Sequence, residues 1–461
     1  MPDFRFRLTT RRALALSLIA CTSAQAQMQC EPPLHDCPPT EVPQPKSDPA
    51  GKFPLIDDGK FKIDLRSVSD SQSLDKGTKR HAWTLNMQAS YELGYTSGPV
   101  GFGVDVAPFV ATRINGSDNA GNMAHVRPDG HSADDRAWAY LGKYAVKARV
   151  GDTVLKYGLQ RVSNPVLESK DNRGLPPTFR GATITSAITS SLNVEAGEFD
   201  AAIGRGRSTL KGLSTEYGGT PFKRIAYAGA NWDYSETGSL SVYANQASDV
   251  WNQSYASVTQ SVGDLATVQW TGAANFYLTR NQGARLQGPI DSKAYSLSLS
   301  AAHGPLTIMA AYQHVLSDQF FDDVNDAWGI ALVNAVAAAD YNAPHEQSAQ
   351  LRVVVDGASL GVPGLKLISW IMTGWGTDGR NGAGQHASPS DPQHALYWVD
   401  GRPAGGKHHE IGAFPTYTLQ EGRFKGTKIG IFGCAYKVST RYPDSGIHEY
   451  KFQIDMPIQV F

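Results

Sequence analysis

The chain has 461 residues, a formal net charge of −1, and a composition that is 41% hydrophobic and 18% charged. A balance this close to neutral excludes a protein organised around a basic nucleic-acid face. Beyond the amino terminus no apolar run reaches 18 residues, which excludes a membrane-spanning helix and argues against the inner membrane; the length alone would accommodate two or three soluble domains.

At the amino terminus Arg5, Arg7, Arg11 and Arg12 precede the apolar run Ala13 to Ala20, and Ala24-Gln25-Ala26 supplies a small-x-small cleavage site. This layout predicts a secretory signal peptide over residues 1–26. Leu18-Ile19-Ala20-Cys21 offers a competing lipoprotein reading with acylation at Cys21, against which its shorter apolar run counts. Both readings export the chain. Residues 27–58 form a Pro-rich, polar extension expected to be extended and poorly ordered. Within it Cys30 and Cys37 either close a small disulfide loop in an oxidising compartment or remain two thiols.

From Gly59 onward the periodicity is two. Trp83, Leu85, Met87, Ala89, Tyr91, Leu93 and Tyr95 form one face, with Thr84, Asn86, Gln88, Ser90 and Glu92 opposite. A turn at Thr96 to Pro99 leads into Val100, Phe102, Val104, Val106 and Pro108, which predicts a hairpin of two long strands. The same texture recurs at Tyr144 to Val150, Val194 to Phe199, Leu240 to Ala244, Val268 to Leu278 and Tyr295 to Ala301. It returns at Leu306 to Tyr312, Leu351 to Asp356, Lys366 to Met372 and Lys428 to Tyr436, where Cys434 reads as a small apolar filler. Short turns such as Gly151-Asp152 alternate with long polar loops such as Asn115 to Asp135 and Asp378 to Gly406, as in a transmembrane β-barrel. Lys147 and Arg149, and Arg352 and Asp356, fall on the polar faces of their strands, so those faces must be wet. A soluble all-β protein also wets one face of each sheet. Strands of ten or more residues exceed the usual length, however, and Trp83, Tyr95, Trp138, Tyr140 and Tyr450 collect at strand ends like interfacial girdles. The segment Tyr450 to Phe461 alternates apolar Tyr450, Phe452, Ile454, Met456, Ile458 and Val460 with Lys451, Gln453, Asp455 and Gln459, while Phe461 stands out of phase with the apolar stripe. The reading is an all-β transmembrane antiparallel barrel over residues 59–461.

Five blocks, in order along nearly the whole predicted mature chain, resemble the OprD-type outer-membrane channels, a family of substrate-selective porins. They are Ser90 to Phe109, Ala145 to Gln160, Asn172 to Ile184, Leu360 to Leu367 and Gly406 to Glu410. The off-phase terminal Phe461 with Pro457 near the tip is similar to the ending these channels tend to have. The resemblance implies eighteen strands, a third loop folded inward as an eyelet, and passive diffusion of small polar solutes, commonly carboxylates such as amino acids or aromatic acids. It also implies a ladder of basic side chains facing acidic groups at the narrowest point, since fixed charges in a pore concentrate counter-ions. Arg66, Lys147, Arg149 and Arg352 match positions of that ladder. Gly430 and Phe432 stand where the family tends to have two arginines, which weakens the expected pull on anions. The constriction is expected from Asn172, Arg173, Thr178 and Arg180 of the third loop. The acid of the seventh loop, Asp318 to Pro344, falls at Trp328, with Asp326 two residues away as the substitute; the run Ala335 to Ala339 suggests that this loop presses closely on other chain.

The remaining motifs favour structural roles. Neighbouring residues of a strand face opposite ways, so His408 and His409 do not share a metal. Asp134-Asp135-Arg136 fits a solvated loop end better than a calcium site. The Gly-rich Thr373 to Gly384 reads as a flexible loop with no helix after it to hold a phosphate. No cofactor or metal is implied, and the expected partners are the solutes and outer-membrane lipid, with the protein a monomer or loose homotrimer. A surface-acting barrel hydrolase is the alternative, without a local signature to support it.

Overall fold

The computed structural model describes residues 54–461 apart from 76, 328, 329 and 336. The predicted signal peptide, Cys21, Cys30, Cys37, most of the 27–58 extension and Trp328 lie outside the described residues. After one helical turn at Pro54–Asp57 the chain runs through β1 (Lys60–Leu74), β2 (Lys79–Glu92), β3 (Gly101–Gly116), β4 (Ala137–Val150), β5 (Thr153–Gln160) and β6 (Thr178–Ala187). Next come β7 (Leu192–Ile203), β8 (Ile225–Ser235), β9 (Gly238–Ala247), β10 (Trp251–Val262), β11 (Gln269–Asn281) and β12 (Asp291–His303). The last six are β13 (Leu306–Leu316), β14 (Gln347–Asp356), β15 (Leu365–Asp378), β16 (Gly405–Thr418), β17 (Lys428–Val438) and β18 (Ile447–Gln459). Each strand pairs antiparallel with its chain neighbours, and β18 pairs with β1 to close the barrel. Eighteen strands in a closed antiparallel barrel is what the resemblance implied.

The alternation now has a direction. On β18, Glu449 and Lys451 are buried inside while Tyr450 and Phe452 are exposed on the outer wall, so the greasy face looks outward. Outward Val146, Leu155, Val242, Leu297, Ile371, Ile411 and Ile431 continue that apolar surface around the barrel, as a lipid-facing band requires. The off-phase Phe461 sets its ring against outward Phe61 and Tyr91, with centroids 5.9 and 6.0 Å away, and its carbonyl accepts the Phe61 N–H at 3.0 Å. Short turns at 151–152, 236–237 and 304–305 share one rim. Long loops at 117–136, 161–177, 204–224, 317–346 and 379–404 share the other.

Bulges account for the misplaced girdle residues. Between Ala107 and Pro108 the β3–β4 register slips by one residue of β4, and an inserted residue inverts the faces beyond it. Trp138 and Tyr140 therefore turn inward and pack beside buried Phe109, Ala111 and Leu175. Tyr95 is not on a strand either. Residues 93–100 leave the sheet, so the connection is longer than the predicted four-residue turn, and the Tyr95 ring lies beneath Lys147 Nζ at 4.9 Å and Arg149 Cζ at 4.6 Å. Of the five expected girdle residues, Trp83 and Tyr450 face outward. The Gly-rich stretch also departs from expectation: residues to Asp378 belong to β15, and a helical turn at Arg380–Ala383 follows.

Two of the long loops fold into the lumen. The third, 161–177, lays Val162, Val166 and Leu167 on the inward aromatics of β7–β11, among them Phe199, Tyr227, Tyr243, Tyr255 and Tyr277. Tyr277 Oη donates to the Pro165 carbonyl at 2.6 Å, and Asn245 Nδ2 donates to that of Val166 at 3.1 Å. The seventh, 317–346, joins that cluster through Phe321, Val324, Ile330 and Leu332, and its second half reaches the wall of β15–β17. Its Ala337, Ala338, Ala339 and Tyr341 pack on Trp370, Met372, Phe414, Phe432 and Tyr436, and the N–H groups of Ala338 and Ala339 donate to Glu410 at 3.1 and 3.3 Å. The alanine run is thus pressed on the wall as expected, because small side chains bring the loop backbone within reach of a buried carboxylate.

Candidate functional site

The constriction is built where the third loop crosses from one wall to the other. Arg66 on β1 holds Asp171 of that loop and Asp455 of β18, each at 2.6 Å, and Arg161 holds the second Asp171 oxygen at 3.2 Å. One residue pair along, Arg173 donates to Asp70 on β1 at 2.8 Å and to Asn122 at 3.1 Å. Lys451 on β18 completes this side, 3.3 Å from Glu449 and 3.4 Å from the Asn172 carbonyl. Charges removed from bulk water are stable only when paired and hydrogen-bonded, and this lattice meets that condition by interleaving signs.

From Asn172 the lattice continues to the seventh loop. Arg205, in the loop after β7, donates to Asn172 Oδ1 at 3.0 Å and to Asp326 at 2.9 Å, with Glu216 at 3.9 Å. Asp326 takes a left-handed backbone with φ of 62°, a conformation that costs a non-glycine residue energy and persists where surroundings enforce it. Backbone bridges from Ser169 to Ala327 and from Thr215 to Val324 supply that enforcement.

The expected site residues divide. Arg66, Asn172, Arg173 and Asp326 converge in this lattice. Lys147 lies inward nearer the rim of short turns, paired with Asp105 at 2.6 Å, where Lys156 also reaches Asp105 at 3.2 Å. Arg149 stands beside it over Tyr95. Arg352 is inward and buried on β14, in register between Met309 and Trp370. Thr178 is fully buried and presents nothing to the lumen. Arg180 is a correction: Phe179 takes the inward position, and Arg180 forms a forked pair with Asp200 at 2.8 and 2.9 Å on the outer wall. The bulge between Arg180 and Gly181 in the β6–β7 ladder accommodates this arrangement. Gly430 and Phe432 do face inward, but the space is filled. Phe432 stacks on Trp370 at 5.7 Å, the Phe414 ring occupies the room a side chain at 430 would need, and Lys451 Nζ lies 5.4 Å from the Phe432 ring.

Asp70, Asp105, Asp171, Arg205, Glu449 and Lys451 are site residues that sequence reasoning did not assign. Lys451 and Glu449 were recoverable, since alternation against Tyr450 and Phe452 already places them inside. Arg205 and Asp171 lie on loops, where no period indicates direction. His408 is buried between the rings of Tyr341 and Tyr442, at 4.4 and 4.2 Å, and bonded to Glu346, while His409 is exposed. The two side chains lie on opposite faces, as expected; Asp134 and Asp135 contact Arg127 and His125 at a loop surface.

Residues 54–460 match the model of the OprD family of outer membrane porins. Porin D of Pseudomonas aeruginosa is 29% identical over 430 residues, covering 90% of this chain and 94% of that protein. The porin-like protein GalP of Pseudomonas putida is 29% identical over 359 residues, 74% of this chain and 85% of its own. Among solved structures, Pseudomonas aeruginosa OccD3 (OpdP) superposes with a TM-score of 0.79 at 29% identity, covering 94% of this chain and 99% of that one. These relatives are porins, and they give the hydrolase alternative no support. With a closed barrel, an outward apolar wall and an inward third loop, the chain belongs to the OprD family of outer-membrane porins.

Proposed function

We propose that this porin passes small polar solutes, carboxylates among them, by passive diffusion through the gap beside the third loop, with no catalytic step. Arg66, Lys147, Arg149 and Arg352 form the electrostatic track, joined by Lys451, and Arg173, Asn172 and Asp326 shape the eyelet. The observation that carries this reading is the lattice from Arg66 and Asp70 through Asp171 and Arg173 to Arg205 and Asp326. It holds a loop across the lumen at a fixed height and lines its edge with polar groups. Each cation of the lattice has a carboxylate beside it, so the field at the eyelet alternates in sign and the net anion preference is modest. In planar bilayers the purified protein shows discrete ohmic steps; a barrel that never conducts overturns the reading. Replacing Arg149 and Arg352 together by Ala shifts the reversal potential in a salt gradient toward cations. An unchanged potential removes both from the track.

A further inference from the structure

The inward positions of β7–β13 carry no basic side chain. Apart from Asp233 near the rim of short turns, the acid on that arc is Glu195. It differs from Asp70, Asp171, Asp326, Glu449 and Asp455 of the constriction lattice, which are ion-paired. Glu195 is half-buried, and its partners among the described residues are two hydroxyls, from Tyr243 at 2.8 Å and Tyr227 at 3.2 Å.

The tyrosines are themselves fixed. The wall beneath their rings is glycine: a Cβ at Gly197 would run into the Tyr227 ring, and one at Gly229 into the Tyr243 ring. Both rings thus lie flat on the sheet with their hydroxyls aimed at one carboxylate. Behind Tyr243 a chain of donors extends the order, Ser241 Oγ to Asn231 Oδ1 at 2.6 Å and Asn231 Nδ2 to Tyr243 Oη. Hydrogen bonds in such a series polarise one another and fix the orientation of the carboxylate on the lumen wall.

Inward cations lie along the same rim. Lys147 stands opposite Lys156, Lys156 opposite Thr183, and Thr183 opposite Gly197, two residues from Glu195. The β5-to-β7 separation is two strand spacings, roughly 10 Å. One wall of the exit vestibule thus presents a cationic group and, beside it, an anionic one.

Building on the channel reading, we propose that Glu195 with Tyr227 and Tyr243 is a subsite for an ammonium or guanidinium group. Lys147, Arg149 and Lys156 take the carboxylate of the same solute, so the vestibule favours molecules that carry both charges. Long-chain amino acids have the required span, and a plain carboxylate leaves the Glu195 site unoccupied.

The test is liposome swelling with 6-aminohexanoate and hexanoate, which differ by the ammonium group, alongside bilayer conductance in KCl. Wild-type protein admits 6-aminohexanoate faster. Glu195→Gln, which keeps an acceptor for both tyrosines, slows it by roughly two- to five-fold, the range a partly exposed ion pair supports, and leaves hexanoate unslowed. Tyr243→Phe, which frees the carboxylate from one donor, gives a smaller loss in the same direction. If the variant conducts like wild type and the two solutes change together or not at all, the subsite is overturned while the channel reading stands. A wild-type protein that does not conduct removes both.

Discussion

A charged lumen depends on single residues in unequal ways, and Arg205 is one at which three loops meet. It reaches Asp326, Asn172 and Glu216 from one side chain, so it ties the third and seventh loops to the loop after β7. Removing one member of a buried pair leaves its partner uncompensated at a cost of about 3 kcal/mol. Arg205→Ala is expected to loosen the seventh loop, raise single-channel conductance and move the reversal potential toward cations, all read in one bilayer experiment. Unaltered conductance would mean that backbone bridges alone hold the eyelet. Phe432 is the converse case. A family-like arginine at 432 would enter a space already occupied by Trp370 and Phe414 and approach Lys451. Phe432→Arg is therefore expected to lower stability, on the order of 3 kcal/mol from lost packing, without strengthening anion preference. A lower temperature for the heat-induced gel shift tests the first part and the reversal potential the second.

Among the elements, the seventh loop carries the most consequences because it is held at both ends by carboxylates. Near its start Asp318 accepts from Asn381 at 3.0 Å and pairs with His345 at 2.8 Å. The Asn381 and His345 hydrogen bonds hold its carboxyl below the ordinary aspartate value. A group with a depressed folded pKa stabilises above its unfolded pKa, and that contribution is lost as pH falls through the lowered value. The latch is therefore intact at neutral pH and releases in acid. Current fluctuations should increase below about pH 4, and Asp318→Asn, which cannot titrate, should flatten that dependence. The strands themselves were unequally visible in the sequence. β2, β3 and β18 alternate plainly because their outer positions are apolar. β10 was missed: its buried positions are Trp251, Gln253, Tyr255, Ser257, Thr259 and Ser261, and its outward ones include Asn252, Ser254 and Gln260. Where both faces mix polar and aromatic residues, period-two contrast disappears although the backbone is as regular as elsewhere. β8 was missed too, with Ala226, Ala228 and Ala230 on its outer face, too small to mark an apolar stripe.

At the scale of the whole molecule, the barrel and its strand order followed from alternation and family likeness, whereas the internal lattice did not. Alternation reports which side of a wall a residue occupies, and this sufficed for Lys147, Arg149 and Arg352. It carries no information on which side chains meet across the lumen, so the Arg205–Asp326 and Arg173–Asp70 pairs emerged only in three dimensions. A single inserted residue also defeats it, as Gly142 does by inverting Trp138 and Tyr140. The seam has a separate consequence. Arg66 and Asp455 are bonded across it although 389 positions apart, and β18 is the partner that completes β1. Contacts of such long range are slow to form and reward the chain late. Until β18 arrives, β1 and β17 are both open edges, competent to pair with any other strand. A version lacking β18 is therefore expected to leave both edges open and to be lost to proteolysis, not to leak in the membrane.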